Sequence, residues 1–594
     1  MIGKSRLDLL RREMLANNCN IYIIPSSDAH NSEYVPECWN RRCWISNFTG
    51  SSGDVVVSLN NAYLWTDGRY YIQANNELDC NEFTLLKHIT FIAALEYIFI
   101  NEQIKGEDLK VAVDPKVLSI GFFENIDSLV NKFSGNLVAH ESNLIDTCKV
   151  NLGEDITPQN CNIFHLKQNM TGQSINEKII WLQTEVSNKG ANAIVLNMLD
   201  EIAWLFNMRG NDIEYNPLAI AYAIVEKSEI ILFLNKYKIE SNLKNVLVKY
   251  GVVIKEYDSF YGYLKKYTGV VWLSPKTSNY FILKCCKKSI ILDTPIAMRK
   301  ACKNEVEIKG ARLAHQKDAV ALINFLAWLD QNWRSGVNEL NLVAKLREYR
   351  SEEENYKGDS FGTISAFAEH GAICHYQVNS LSAKNIDDTN LYLLDSGGQY
   401  LEGTTDVTRT IHLGEPTQIQ KKHYTLVLKG HLALQRQKFP DGTTGESIDV
   451  LARSYLWNHN LDYMHGTGHG VGSFMCVHEG PVAISKKITS KPLKPGMILS
   501  NEPGVYLEGE YGIRIENLLY VYDEHESKNE IYNVRYYSFK NLTMVPYAKN
   551  LIDFSMLTKQ EFSQIKDYYS EINEKIRPRL PIKSREWFDD MINI

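Results

Sequence analysis

The sequence has no CxxC pair, no long apolar run, no low-complexity stretch and no basic surplus. Each absence closes off a class of function. Its 11 cysteines are scattered and odd in number, which predicts free thiols in a reducing compartment. The most apolar stretch, residues 91–100, is short and interrupted by Glu96, so no membrane span is expected. The chain opens Met1-Ile2-Gly3-Lys4-Ser5-Arg6 and runs into an amphipathic charged segment. That start does not read as a signal peptide, and cytoplasmic residence is the expectation. With 64 Lys and Arg against 71 Asp and Glu, the formal net charge of -7 argues against general nucleic-acid binding.

What remains is an ordinary globular composition in a chain of 594 residues, long enough for three or four domains. Residues 1–150 alternate strand-like runs (21–24, 54–59, 111–113) with helical stretches, an α/β pattern. Residues 151–298 repeat that plan by order and periodicity, with few identities. A third block, 299–550, opens near Arg299 with a long helix in which Leu322, Phe325, Leu326 and Leu329 form one stripe. Residues 551–594, with Pro578, Pro581 and a late Trp587, read as a packed extension.

Chemistry concentrates in the third block. Asp395 closes the apolar run 391–394 and precedes Ser396-Gly397-Gly398. Asp406 follows in a β-branched stretch where Asp406, Thr408 and Thr410 share one strand face and Val407 and Ile411 the other. A hairpin would bring the two aspartates together. His469 lies in His465-Gly466-Thr467-Gly468-His469-Gly470-Val471-Gly472, whose alternating glycines argue for extended backbone packed close to something. Glu502 ends a strand-like run before the turn former Pro503-Gly504, and Glu516 shares a strand face with Arg514. Four carboxylates and one imidazole of this kind read as a cage for two divalent cations.

The runs LLDSGGQYLEGTTDVTRTIHLG, HGTGHGVGSFMCVHEGP, SNEPGVYLEGEYGIRIEN, IYIIPSSDAHNSEY and YLWTDGRYYIQA resemble cytosolic aminopeptidase P (Xaa-Pro aminopeptidase) of the pita-bread metallopeptidase superfamily. The resemblance spans almost the whole chain. It implies two creatinase-like N-terminal α/β domains followed by a pita-bread catalytic domain, and a homodimer to which the C-terminal region contributes. It also implies removal of the first residue from peptides with proline second. Asp395, Asp406, His469, Glu502 and Glu516 would hold two divalent ions, most commonly manganese. His375, His465, His478 and Glu502 would be catalytic, with Glu502 as base for a metal-bridging hydroxide. Arg69, His375, His469, His478 and Arg514 would contact substrate, Arg514 also orienting Glu516.

Two alternatives stand beside this reading: a prolidase cutting Xaa-Pro dipeptides, which shares the metal motif, and a non-catalytic pita-bread binding module, whose known examples have typically lost metal ligands that are all present here. His370 has no counterpart and reads as a solvated loop histidine. His412, His423, His431 and His459 read as structural.

Overall fold

The computed structural model describes residues 2–158, 161–529 and 534–594. The chain divides into two compact units, one built from the residues up to Gln168 with Gln173–Ile296, the other from Asn169–Gly172 with Ala297–Ile594.

The first unit contains two six-stranded sheets of the same topology. One runs Phe83–Leu86, Ala62–Trp65, Asp54–Ser58, Ile21–Ile24, Lys110–Val113, Asn136–Ala139; the other runs Val252–Lys255, Ile230–Phe233, Tyr222–Glu226, Ala193–Leu196, Val270–Leu273, Lys288–Ile291. In both, the fourth strand of that order pairs antiparallel with the third and parallel with the fifth. This is the plan repeated in the sequence. The apolar run at 91–100 is the helix Phe91–Asn101, whose Phe91, Ala94, Leu95, Ile98 and Phe99 are buried. Its stripe packs with Ile21, Ile23 and Val111 of the first sheet, which is why so apolar a segment needs no membrane. The PSSDAHNSEY motif is used structurally: the buried His30 bonds Asn197 O at 2.8 Å and Tyr257 Oη at 2.8 Å, joining the segment after Ile21–Ile24 to residues that follow strands of the second sheet.

After the short helix Ile296–Ala301, the long helix of the second unit is Glu305–Asn332. Asn304 caps it, accepting from the amides of Val306 and Glu307, while Glu307 returns a bond to the Asn304 amide. The stripe Leu322, Phe325, Leu326 and Leu329 is buried in a core shared with Leu391, Tyr424, Val545 and Ile565. Two antiparallel sheets frame the functional residues. A three-stranded sheet runs Ile364–Phe367, Leu391–Ser396, Val407–His412; a six-stranded sheet includes Asn517–Asn529, Ile498–Asn501 and Gly468–Gly470 in that order. The segment after residue 550 is not separate from this core, because Tyr568, Tyr569, Ile572 and Phe588 are buried within it. Among the described residues, no helix is long and apolar enough to cross a membrane.

Candidate metal centre

Asp395 lies near the end of Leu391–Ser396, and Asp406 immediately before Val407–His412. These strands pair antiparallel with Asp395 opposite Thr408, so the aspartates meet at one end of the pair. Glu502 and Glu516 come together by the same device: Asn501 pairs with Asn517, leaving the glutamates at the two chain ends where that pairing stops. Pro503-Gly504 is not a turn. Gly504 starts the strand Gly504–Leu507, which pairs with Tyr511–Arg514, and the reversal falls at 508–510, where Gly509 adopts a φ of +77°. The proline ends one strand and redirects the chain into the next, and the turn follows where left-handed backbone is available.

The strand Gly468–Gly470 slots between Ile498–Asn501 and Glu479–Ile484. A Cβ on Gly468 would lie 1.9 Å from Ser500 O, so only glycine permits the approach that brings His469 to the carboxylates. Its ring completes the cluster. His469 Nε2 is 3.4 Å from Asp406 Oδ2 and 3.7 Å from Glu502 Oε1, and ligand atoms of Asp406, His469 and Glu516 lie within 4.8 Å of one another.

The protonation pattern of this cluster calls for cations. His469 Nδ1 faces the Gly470 carbonyl at 3.0 Å, so that nitrogen carries the hydrogen and the Nε2 lone pair points at carboxylate oxygens. Asp395 Oδ1 is buried without a hydrogen-bond partner. Burial, followed by repulsion from the neighbouring carboxylates, holds Asp406 and Glu516 well above the usual carboxylate range. Burial also raises Glu502, opposed by His469 and Arg514. Lone pairs aimed at one another from four acids and an imidazole are what a pair of divalent cations resolves. The donor set fits the metal centre, with Asp395, Asp406, His469, Glu502 and Glu516 as the side chains able to hold it.

Arg514 reaches into these acids, and its placement corrects the expectation that it orients Glu516. Its Nη2 donates to Asp395 Oδ2 at 2.6 Å and to Cys374 O at 3.3 Å, its Nε to Thr408 Oγ1 at 3.2 Å, and its Nη1 to Tyr506 Oη at 2.6 Å. It therefore orients Asp395, while Thr408 Oγ1 donates to Glu516 Oε2 at 2.7 Å. Only 2% exposed, Arg514 turns these donors inward and supports Asp395 directly. Arg514→Lys keeps the charge but loses the fork. It is expected to weaken manganese binding about 10- to 100-fold, read as the apparent Kd on titrating metal-stripped protein.

The histidines divide by exposure. His478 is exposed and stands edge-on to His469, ring centroids 4.3 Å apart. His465 is largely buried. Its Nδ1 meets Gly466 O at 2.7 Å and lies 3.7 Å from Glu502 Oε2, and its Nε2 meets Tyr506 Oη at 2.8 Å. His375 follows Cys374, whose carbonyl Arg514 holds. His370 is not a solvated loop residue: its Nδ1 is 2.8 Å from Glu339 Oε1 and its ring stacks on Tyr376. Arg69 belongs to the other unit and forks onto Asp67 at 2.8 and 2.7 Å.

Several supporting residues escaped the sequence reading. Arg409 is 1% exposed and its Nη1 donates to the carbonyls of Thr408 and Glu516 at 2.8 and 2.7 Å. An arginine on the Val407/Ile411 face of a strand was its only signal. His431, pushed down to about 3 by burial and the Arg409 charge, meets Asn501 O at 3.0 Å, directly before Glu502. Ser500 Oγ accepts from the His469 amide at 3.0 Å and donates to Glu502 Oε1 at 3.3 Å.

Comparisons with known proteins point the same way as the geometry. The model of Metallopeptidase family M24 matches residues 309–523, and that of the C-terminal region of peptidase_M24 matches 535–592. Two models of the Creatinase/Prolidase N-terminal domain match 6–148 and 156–307. Xaa-Pro aminopeptidase 1 of Dictyostelium discoideum is 39% identical over 99% of this chain and 96% of its own length. A probable Xaa-Pro aminopeptidase P of Neurospora crassa is 40% identical over 97% of this chain and 86% of its own. The crystal structure of X-prolyl aminopeptidase from Caenorhabditis elegans, described as a cytosolic enzyme with a di-nuclear active site, superimposes over the full length of both chains with a TM-score of 0.93 and 32% identity.

Proposed function

Because this chain belongs to metallopeptidase family M24, we propose that the cluster around His469 hydrolyses the N-terminal Xaa-Pro bond of peptides, releasing the first residue. The fold is two creatinase-type α/β domains followed by a pita-bread catalytic domain; we draw its divisions at 1–150, 151–298, 299–550 and 551–594. One observation carries the reading: an imidazole fixed by Gly470 O aims its free nitrogen at Asp406 and Glu502, inside a cluster of four carboxylates. The function rests on two divalent ions, and we take manganese as the pair. When bound, such ions supply the acidity that turns water into a nucleophile at neutral pH.

The chain's own residues do the rest. Asp395, Asp406, His469, Glu502 and Glu516 hold the ions. Glu502, raised by its burial, takes the proton of the attacking water, with the His465 imidazole 3.7 Å from that carboxylate as a further group at the reacting centre. His375 and the exposed His478 grip the peptide and steady the tetrahedral centre. The nitrogen of a leaving proline carries no hydrogen before cleavage, so a proton must be delivered to it, and an imidazole beside the cluster suits that task. We further propose that the protein acts in the cytoplasm as a homodimer.

The rival activity is cleavage of Xaa-Pro dipeptides, and substrate length separates the two. Purified protein with added manganese is expected to release the first residue from an Xaa-Pro-Xaa tripeptide. Turnover confined to Xaa-Pro dipeptides would overturn the reading.

A further inference from the structure

One fully buried carboxylate outside the metal cluster gathers an unusual number of donors. Glu339, at the start of the helix Glu339–Ser351, is 0% exposed. Its Oε1 accepts from the Phe367 amide at 2.6 Å and from His370 Nδ1 at 2.8 Å. Its Oε2 accepts from the Lys384 amide at 2.9 Å and the Tyr376 hydroxyl at 3.2 Å. The four donors come from residues 367, 370, 376 and 384, so they bracket His375 on both sides. His370 adds a second tie, stacking on Tyr376 with ring centroids 4.4 Å apart.

The same loop is held on its other side by the metal centre. Cys374 O accepts from Arg514, whose Nη2 also binds Asp395. A Cβ on Gly512 would lie 1.7 Å from Gly371 O, and one on Gly371 would lie 2.9 Å from Gly512 N. Backbone thus rests on backbone, and the loop is seated against the strand Tyr511–Arg514. Ala368 enters the loop at a φ of +53°, a left-handed conformation that a non-glycine residue keeps only where surrounding structure imposes it. A buried carboxylate is costly unless its lone pairs are filled. Here they are filled by this one loop.

We propose that Glu339 and His370 are positioning residues for the peptidase reaction: they lock the loop 367–384 so that His375 is presented to the substrate at a fixed place beside the metal ligands. The inference rests on the reading of His375 as a substrate-gripping group. Neither residue touches the cluster of five ligands, so the lock acts on peptide turnover and leaves metal binding alone.

His370→Phe keeps a ring on Tyr376 and removes the bond to Glu339. It is expected to lower kcat/KM for the tripeptide about tenfold, with unchanged metal content and an unchanged manganese Kd. Glu339→Gln, which sets an amide N–H against the Lys384 amide, should behave in the same way and more severely. The decisive comparison places His370→Phe in a His375→Ala background. If the lock works through His375, the loss seen in the wild-type background vanishes there.

An equal loss in both backgrounds, no loss in either, or a fall in metal content overturns the proposal while leaving His375 its role. If His375→Ala alone leaves kcat/KM unchanged, the role of His375 falls and the lock with it.

Discussion

Replacing Glu502 by alanine is expected to lower kcat/KM for an Xaa-Pro-Xaa tripeptide by about 10⁴-fold or more, as when a central catalytic group is removed. Two functions are lost in one substitution. Glu502 is a ligand candidate 3.7 Å from His469 Nε2, and it is the group we assign as base, its proton affinity raised by burial. Glu502→Gln separates them, because the amide keeps the shape and one neutral oxygen but cannot take a proton. The glutamine variant should therefore retain more metal than the alanine variant and be comparably inactive. A Glu502→Ala protein with a full complement of metal and more than about a tenth of wild-type kcat/KM would mean that the base is another group.

The second large effect is loss of activity on metal removal, with a pH dependence whose sign follows from the carboxylates. Burial and mutual repulsion raise Asp406 and Glu516 well above their ordinary values of 3.8 and 4.5. In metal-free protein they bind protons more tightly folded than unfolded. The stability they contribute is then fully present below the ordinary carboxylate values and is lost as pH rises through the folded ones. Bound cations reverse the balance, since they need the same oxygens unprotonated.

A chelator should abolish turnover, and manganese should restore it. The rise in Tm produced by manganese should be largest near about pH 8 and shrink steadily toward about pH 5. Groups elsewhere titrate in both forms and cancel in that difference. A manganese-induced rise independent of pH would show that these carboxylates do not hold the ion.

Much of this protein was legible in one dimension because its signals are local. The glycine alternation around His469 reports a backbone approach that any side chain would block, and Gly468 against Ser500 O is that approach. The apolar run before Asp395 and the β-branched run after Asp406 are strand signals of period two, and they become the paired strands Leu391–Ser396 and Val407–His412. The repeated plan of residues 1–298 survives as two sheets of one topology although few identities remain, since strand order depends on the spacing of apolar runs and not on particular residues.

What stayed hidden is what depends on a partner far along the chain. His370 looked solvated because its neighbours in sequence are ordinary loop residues; its carboxylate lies 31 positions earlier. Arg514 looked like support for Glu516, two residues away, and instead reaches Asp395, 119 positions earlier. Adjacency on a strand does not decide which of several acids a long guanidinium meets. Arg409 and His431, behind the ligands, show almost nothing in sequence beyond a charge or a histidine in apolar company.

The sequence by itself determined the strand and helix pattern, the duplication, the five side chains suited to divalent cations and the likeness to the Xaa-Pro aminopeptidases, because each is written in short-range spacing and residue chemistry. Only the tertiary structure decided which acid Arg514 neutralises, that His469 turns Nε2 toward the carboxylates, and that Glu339 gathers donors from both sides of His375. Those outcomes depend on hydrogen-bond directions between strands and loops brought together by folding, and no spacing along the chain encodes a direction in space.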